Sequence, residues 1–179
     1  MSSPTSLHIR RATDNDCSQL TTLAADVFRQ TYGAAIPDDV LEPYLQEQFS
    51  QEGFAVQLTL PHHYYLVAYV AEQLVGFCKL AQTAVPPVIT VRNPLELGQL
   101  YLHPDYQGLG IGSRLMKRAI ETAVHHAYDS LWLCVWEQNK TAVAFYQKWG
   151  YKQVGTTQIF VGPIVFEDWV LLKLLNDKE

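Results

Sequence analysis

Residues 95–120 read LELGQLYLHPDYQGLGIGSRLMKRAI, and this stretch decides the architecture. Leu95 to Leu102 has the apolar content of a strand. A glycine loop follows, Gln107-Gly108-Leu109-Gly110-Ile111-Gly112. Beyond it Ile111, Leu115, Ala119, Ile120, Ala123 and Val124 recur at helical spacing, which predicts a helix over roughly Gly110 to Tyr128. Glycines let a backbone approach a ligand closely and aim several N–H groups at it. The first turn of a helix adds unpaired N–H groups and a positive partial charge. The combination is an anion site suited to a pyrophosphate.

Several readings compete for such a loop. A P-loop needs GxxxxGK[ST], and no Gly-Lys-Ser/Thr occurs in the chain. A dinucleotide fingerprint needs GxGxxG and an acid about 20 residues on, at the end of the next strand. Here the spacing is GxGxG, and Asp129 lies before the next strand rather than after it. A coenzyme A loop and a glycine turn without any ligand both remain.

Outward from the loop, the chain alternates strands and helices. Leu7 to Ala12 reads as a strand, and Thr13 with Asp16 has capping-box spacing. Leu20, Leu23, Ala24, Val27 and Phe28 then mark a helix that Gly33 and Pro37 end. A second helix is expected over Asp38 to Gln48, and Gln51 to Leu60 is ambiguous between helix and loop. Tyr64 to Ala71 and Leu74 to Leu80 read as a hairpin turning at Glu72 and Gln73. Pro86, Pro87 and Pro94 mark a loop, and Leu131 to Trp136 is apolar throughout, as a central strand would be. Asn139 caps a helix that Gly150 stops, and strands are expected near Lys152 to Phe160 and Phe166 to Leu175. The expectation is one mixed α/β domain over residues 1–179 with at least six strands in one sheet.

Composition excludes some functions. Hydrophobic residues make up 48% and charged residues 17% of 179, an ordinary globular balance. The net charge of −5 argues against nucleic acid as the main partner and is compatible with a cationic one. Cys17, Cys78 and Cys134 are odd in number and lack CxxC spacing, so they read as small buried hydrophobes. No His shows metal-ligand spacing, so no metal is expected, and His103 before Pro104 reads as shaping the loop. The start, MSSPTSLHIRR, has no apolar leader core, and no apolar run reaches the ~20 residues of a membrane helix. A cytoplasmic protein is expected by default.

A second motif stands about thirty residues beyond the first: QNKTAVAFYQKWGYKQVG. With Gln107, Gly110 and Gly112 it resembles the paired signatures of the GNAT superfamily of N-acetyltransferases, through Asn139, Ala142, Phe145, Tyr146, Gly150 and Tyr151. The segments PDDVLEPYLQEQFS, WLCVWEQNKTAVAFYQKWGY and VFEDWVLLKLL are similar to bacterial spermidine/spermine N-acetyltransferases. The resemblance implies a GNAT fold: a mixed, mostly antiparallel central sheet of about six to seven strands, with a splayed central pair, flanked by helices. It implies acetyl-CoA as co-substrate, a small cationic amine as acceptor and direct attack in a ternary complex. A homodimer is implied by family analogy. Other acceptors (a protein N-terminus, a lysine, an antibiotic amine) and a non-catalytic CoA-binding protein are the competing readings.

The resemblance also implies roles. Leu100, Tyr101 and Leu102 would hold the thioester arm, with a backbone N–H near Leu102 stabilising the oxyanion. Gly98 in that strand fits a bulge. Gln107, Gly108, Leu109, Gly110, Ile111, Gly112 and Ser113 would bind the pyrophosphate, with Arg114 within reach of a phosphate and Asn139 on the pantetheine arm. Tyr146 would protonate the leaving thiolate. Glu96, eleven residues before Gln107, would be the general base; its plain alternative is a strand-edge carboxylate in solvent. Asp26, Asp38, Asp39, Glu42 and Glu47, with Tyr32, Trp136 and Phe160, are the candidates for capturing the acceptor, against ordinary solvated or packed roles for each.

Overall fold

The two most apolar runs, around Val67 and around Leu133, become strands buried on both faces, and the sheet grows from them. The computed structural model describes residues 7–175. The reading of the first eleven residues as lacking a leader core falls partly outside that range. The strands are β1 (Leu7–Arg11), β2 (His63–Val70), β3 (Gln73–Ala81), β4 (Pro94–Leu102), β5 (Ser130–Trp136), β6 (Lys152–Val161) and β7 (Ile164–Leu174). They form one sheet in the order β1-β2-β3-β4-β5-β7-β6. Every pairing is antiparallel except β4 with β5, which is parallel. The helices are α1 (Cys17–Tyr32), α2 (Asp38–Gln48), α3 (Gln51–Thr59), α4 (Ile111–His125) and α5 (Lys140–Lys148). This is the mixed, mostly antiparallel sheet flanked by helices that the sequence led us to expect.

Helices cover the sheet on both faces. The stripe of α4, through Ile111, Leu115, Met116, Ala119 and Ala123, and the inner side of α5, through Val143 and Tyr146, pack with Leu95, Leu97, Leu131 and Leu133. On the other face α1, α2 and α3 bury Leu20, Phe28, Leu41, Leu45 and Phe54 against Tyr65, Val67 and Phe77. The proline loop covers the remaining part of that face, with Ile89 against Trp132 and Val170. Along β7 the cluster under α1 ends at Phe166 and the cluster under the proline loop begins at Val170.

Local chemistry explains most boundaries. The Asp16 carboxylate accepts from the Thr13 N–H at 2.7 Å and opens a 3-10 turn that runs into α1. It also takes Arg10 Nη1 and Nη2 at 2.7 and 2.8 Å and the Tyr69 hydroxyl at 2.7 Å. Burial works against its ionisation, but these hydrogen bonds outweigh it and hold the carboxyl well below its ordinary range. The ambiguous 51–60 segment is helical, and Ser50 caps it by accepting from the Gly53 N–H at 3.0 Å.

Two boundaries differ from expectation, while α2 keeps its expected bounds. The β2–β3 turn is at Ala71 and Glu72, one residue early, because Val70 pairs with Gln73 and Ala71 takes φ 54°. Helix α4 stops at His125 rather than near Tyr128, since Ala127 turns left-handed at φ 58°. Pro43 lies in the second turn of α2, so Asp39 loses one helical hydrogen bond partner.

Candidate active site

The sheet is split at its parallel seam. β4 and β5 pair only through Pro94 with Ser130, Leu95 with Leu131 and Glu96 with Trp132. Beyond Glu96 no rung joins them. The cause is local: the β3 register shifts so that Lys79 faces Gln99 while Leu80 faces Leu97, which leaves Gly98 as the bulged residue. The bulge turns β4 away from β5, and Leu97–Leu102 and Leu133–Trp136 diverge around a gap.

A cleft of about 810 Å³ occupies this gap and reaches both faces of the sheet. On the α4 side its wall includes Gln107, Gly108, Gly110, Gly112 and Ser113. Gly108 and Gly110 have φ of 76° and 79°, and a Cβ at either would meet nothing within 4 Å. The left-handed turns, not crowding, require glycine there, and they leave the loop's cleft side bare. Gly110 is the N-cap of α4, whose first return bond is Arg114 N–H to the Gly110 carbonyl at 3.1 Å. The N–H groups of Ile111, Gly112 and Ser113 therefore have no partner within the helix. Ile111 buries its side chain in the core and Leu109 points its own to solvent, so each offers the loop only its backbone. Arg114 is exposed and lies off the cleft wall.

The middle of the cleft belongs to β4, β5 and α5. Leu100, Tyr101 and Leu102 line one side, and Cys134, Val135 and Trp136 the other. Asn139 lines it as well, while its side chain caps α5 by accepting from the Ala142 N–H at 3.2 Å. Tyr146, on the inner face of α5, reaches the cleft from below. Burial pushes the Tyr146 phenol well above its ordinary range, and Tyr101 and Cys78 add to this. Tyr32 is raised the same way by burial, then by Asp168 and Tyr146, and Tyr101 by burial, then by Tyr32 and Tyr44. Three phenols, from α1, β4 and α5, thus converge on the gap and all keep their protons at neutral pH.

The face under α1 has a different character. Tyr32, Trp136 and Phe166 form a triangle of rings with centroids 5.2 to 5.5 Å apart. Two of these, Tyr32 and Trp136, line the cleft together with Gln30, Thr31 and Gln99. Phe160, by contrast, stands exposed on β6 and does not reach it. Among the acidic candidates, Asp26 and Glu42 are both held by Arg29, at 3.1 and 3.0 Å. Arg29 keeps the Glu42 carboxyl below its ordinary range. Asp38 and Asp39 sit in the first turn of α2, where acids stabilise the helix end, and none of the five lines the cleft.

Glu96 stands at the closed end of the split. Its Oε2 accepts from the Thr83 hydroxyl at 2.7 Å, and it is not part of the cleft wall. One carboxylate escaped the sequence reading: Asp168 on β7, opposite Trp136 in the ladder and only 6% exposed. Burial, and then Glu167, push its carboxyl up to about 6. Cys134 lies between the two acids; burial, then Asp168 and Glu96, push its thiol up to about 12. It is a neutral, unreactive group at the cleft wall. Cys17 and Cys78 are buried, as expected. His103 shapes its loop, Nδ1 accepting from the Asp105 N–H at 3.3 Å. Among the described residues no three His, Cys, Asp or Glu are grouped to hold a metal, and no helix is long and apolar enough to cross a membrane.

Comparison with known proteins agrees with this geometry. Residues 29–151 match the Acetyltransferase (GNAT) family. An uncharacterized N-acetyltransferase of Mycobacterium tuberculosis is 29% identical over 160 residues, 89% of this chain and 98% of the relative. A spermidine N(1)-acetyltransferase of Thermoplasma acidophilum is 26% identical over 151 residues, 82% of this chain and 89% of that protein. The crystal structure of the PaiA N-acetyltransferase of the same organism, in complex with coenzyme A, superposes with a TM-score of 0.80 at 25% identity. It covers 94% of this chain and 99% of that one.

Proposed function

The chain belongs to the GNAT family of acetyltransferases, and from that premise we propose that it N-acetylates a small cationic amine of the polyamine class with acetyl-CoA as donor. The observation that carries this reading is the single cleft that joins an anion-binding loop on one face of the sheet to an aromatic triangle on the other. The first end suits a pyrophosphate and the second suits an alkylammonium. The spermidine N(1)-acetyltransferase among the relatives supports the choice of amine.

The residues present fit the donor. The bare glycine turns and the free N–H groups of Ile111, Gly112 and Ser113 accept the pyrophosphate. The unpaired edges of β4 and β5 accept an extended amide-bearing arm as a strand between them, with Asn139 beside it. When bound, acetyl-CoA supplies an activated thioester. A backbone N–H near Leu102 polarises the acetyl carbonyl and holds negative charge on its oxygen.

Proton handling falls to two groups. A primary alkylamine has a pKa of ~10.4, so it arrives charged and must lose a proton to attack. Glu96, which stands behind the cleft wall at the closed end of the split, accepts that proton through water. Tyr146 keeps its own proton through neutral pH and donates a hydrogen bond to the departing sulfur. With its phenol raised by burial, Tyr146 is a weak acid, so it stabilises the thiolate more by that hydrogen bond than by full transfer. The reaction takes place in the cytoplasm.

The test is thiol release from acetyl-CoA with spermidine, spermine, a lysine peptide and an aminoglycoside as acceptors. Saturable turnover with the polyamines is the expected result. Turnover confined to the lysine peptide or the aminoglycoside refutes the polyamine assignment, and coenzyme A binding without turnover of any amine points to a binding protein.

A further inference from the structure

We propose that Asp168 is a specificity-determining residue of the acceptor site, a counter-ion that receives an ammonium group of the amine beside the Tyr32, Trp136 and Phe166 rings. This rests on the reading of the cleft as the acetyl-transfer site and names the residue that selects for positive charge there.

The argument begins with register. Along β7, Phe166, Asp168 and Val170 are buried on one face, alternating with the more exposed Glu167 and Trp169. The pairing of β5 and β7 puts Asp168 opposite Trp136 and Val170 opposite Cys134. Phe166 belongs to the apolar cluster under α1, and Val170 to the cluster under the proline loop. Asp168 therefore sits between those clusters, one layer behind the cleft wall: it does not itself line the cleft but stands next to two residues that do, Trp136 and Cys134, and within electrostatic reach of both Cys134 and Tyr32.

Its environment offers nothing to neutralise it. Among the described residues, the Asp168 carboxylate has no hydrogen bond and no ion pair, and no basic side chain acts on it. The neighbouring Glu167 differs: it faces the other way and takes Gln158 Nε2 at 2.6 Å. Glu96 differs as well, being engaged by Thr83. A buried carboxylate without a partner is costly, so a fold under no functional demand would carry an apolar residue or an amide at this register. Beside three aromatic rings, it has the make-up of a cation site. Glu96 acts on Cys134 from the opposite strand, so two carboxylates bracket the same thiol from either side of the split.

The groups that face Asp168 fix the pH behaviour. They are Tyr32 from α1, Cys134 from β5 and Glu167 from its own strand, with Glu96 beyond Cys134; on β6 the ladder partner is Thr157, which does not titrate. Tyr32 and Cys134 stay neutral up to high pH, while burial lifts the Asp168 carboxyl into the mildly acidic range. Its carboxyl must be ionised to hold an ammonium, so capture of the amine weakens as pH falls below about 6.

The experiment compares the wild-type chain with Asp168→Asn. Coenzyme A affinity is measured by calorimetry, thermal stability by unfolding, and kcat/KM for spermidine and for n-butylamine between about pH 5 and 8. The expected result has four parts. Coenzyme A affinity stays within about twofold, and the melting temperature holds or rises because a buried charge is gone. The kcat/KM for spermidine falls roughly 10- to 100-fold, the span of one charge-assisted hydrogen bond, and falls less for the monoamine. The spermidine profile loses the part of its acid limb that Asp168 supplies, keeping the part set by the general base, whereas the monoamine profile changes less. Spermidine turnover by Asp168→Asn within about twofold of wild type, with the acid limb intact, overturns this proposal alone. A parallel loss of coenzyme A affinity and stability also overturns it, by showing a structural role. If the wild type binds coenzyme A but turns over no cationic amine, the functional reading fails first and this proposal with it.

Discussion

Replacing Gly110 with Ala tests whether the loop is built for a ligand or only for a turn. Gly110 adopts φ 79°, and a Cβ built there meets nothing within 4 Å. The cost to the fold is therefore conformational and not steric: an L-residue held left-handed loses about 1–2 kcal/mol. For a domain of this size that lowers the melting temperature by about 2–8 °C. The open side of the glycine is also the side that lines the cleft. A methyl group there stands where phosphate oxygens must approach, and any relaxation of φ turns the N–H groups of Ile111, Gly112 and Ser113 away. Loss of one or two charge-assisted hydrogen bonds, at about 1.5–3 kcal/mol each, weakens coenzyme A binding by roughly 10-fold or more. Gly112→Ala is the comparison for stability alone, since Gly112 also lines the cleft. That glycine is helical, and its Cβ would meet only the Phe145 ring at 3.8 Å, an ordinary contact. Helix propensity predicts a change of about 0.5–1 kcal/mol in favour of the alanine. The assay pairs thermal unfolding with calorimetric titration of coenzyme A. If Gly110→Ala leaves both the melting temperature and the affinity unchanged, the reading of this loop is wrong.

Other perturbations are expected to act elsewhere in the chain. Tyr146→Phe should lower kcat by about 100-fold while leaving the KM for both substrates near wild type, in steady-state thiol release; an unchanged kcat removes the tyrosine from the chemistry. Asp16→Ala should cost about 2–3 kcal/mol in urea unfolding at neutral pH, the low end for a broken buried pair because Arg10 reaches solvent. Because the folded Asp16 carboxyl is depressed, its contribution is complete above the unfolded carboxylate value of ~3.9 and fades as pH falls through the folded value. The difference from wild type should thus shrink towards about pH 2, and a constant difference would contradict the assignment. Gly76→Ala would bring a Cβ to 2.7 Å from the Leu102 side chain and 3.1 Å from the Tyr101 carbonyl. It should destabilise by about 1–3 kcal/mol through overpacking and disturb the acetyl-holding strand, measurable as a rise in the KM for acetyl-CoA.

How much of this could be read from the chain follows from where each signal lives. The glycine loop, the Asn139 cap and the Thr13–Asp16 box are local, because their chemistry closes within four to six residues. Gly98 announced the bulge, since a glycine inside an apolar strand has few other uses. Asp168 was hidden because VFEDWV offers two adjacent acids, and only the pairing of β7 with β5 decides which one turns inward. The acidic helix residues attracted attention by composition, yet Arg29 had already claimed Asp26 and Glu42 from thirteen or fewer positions away. Phe166, the third ring of the triangle, depends on the same long-range register as Asp168. Helix α3 was ambiguous because Gly53 and Thr59 weaken its propensity, and what secures it is Ser50 at its start and Phe54 in the core.

The three rungs between β4 and β5 also have a mechanical meaning. On one side stand four strands with the N-terminal helices, on the other three strands, and the backbone stitches between them end at Glu96 and Trp132. Along this line the sheet falls into two leaves, joined beyond Glu96 mainly by α4, α5 and the side chains packed beneath them. A co-substrate that hydrogen-bonds to both leaves acts as a removable zip. Its arrival should slow amide exchange along Leu97–Leu102 and Leu133–Trp136 together, and its departure should restore the faster exchange on both strands at once.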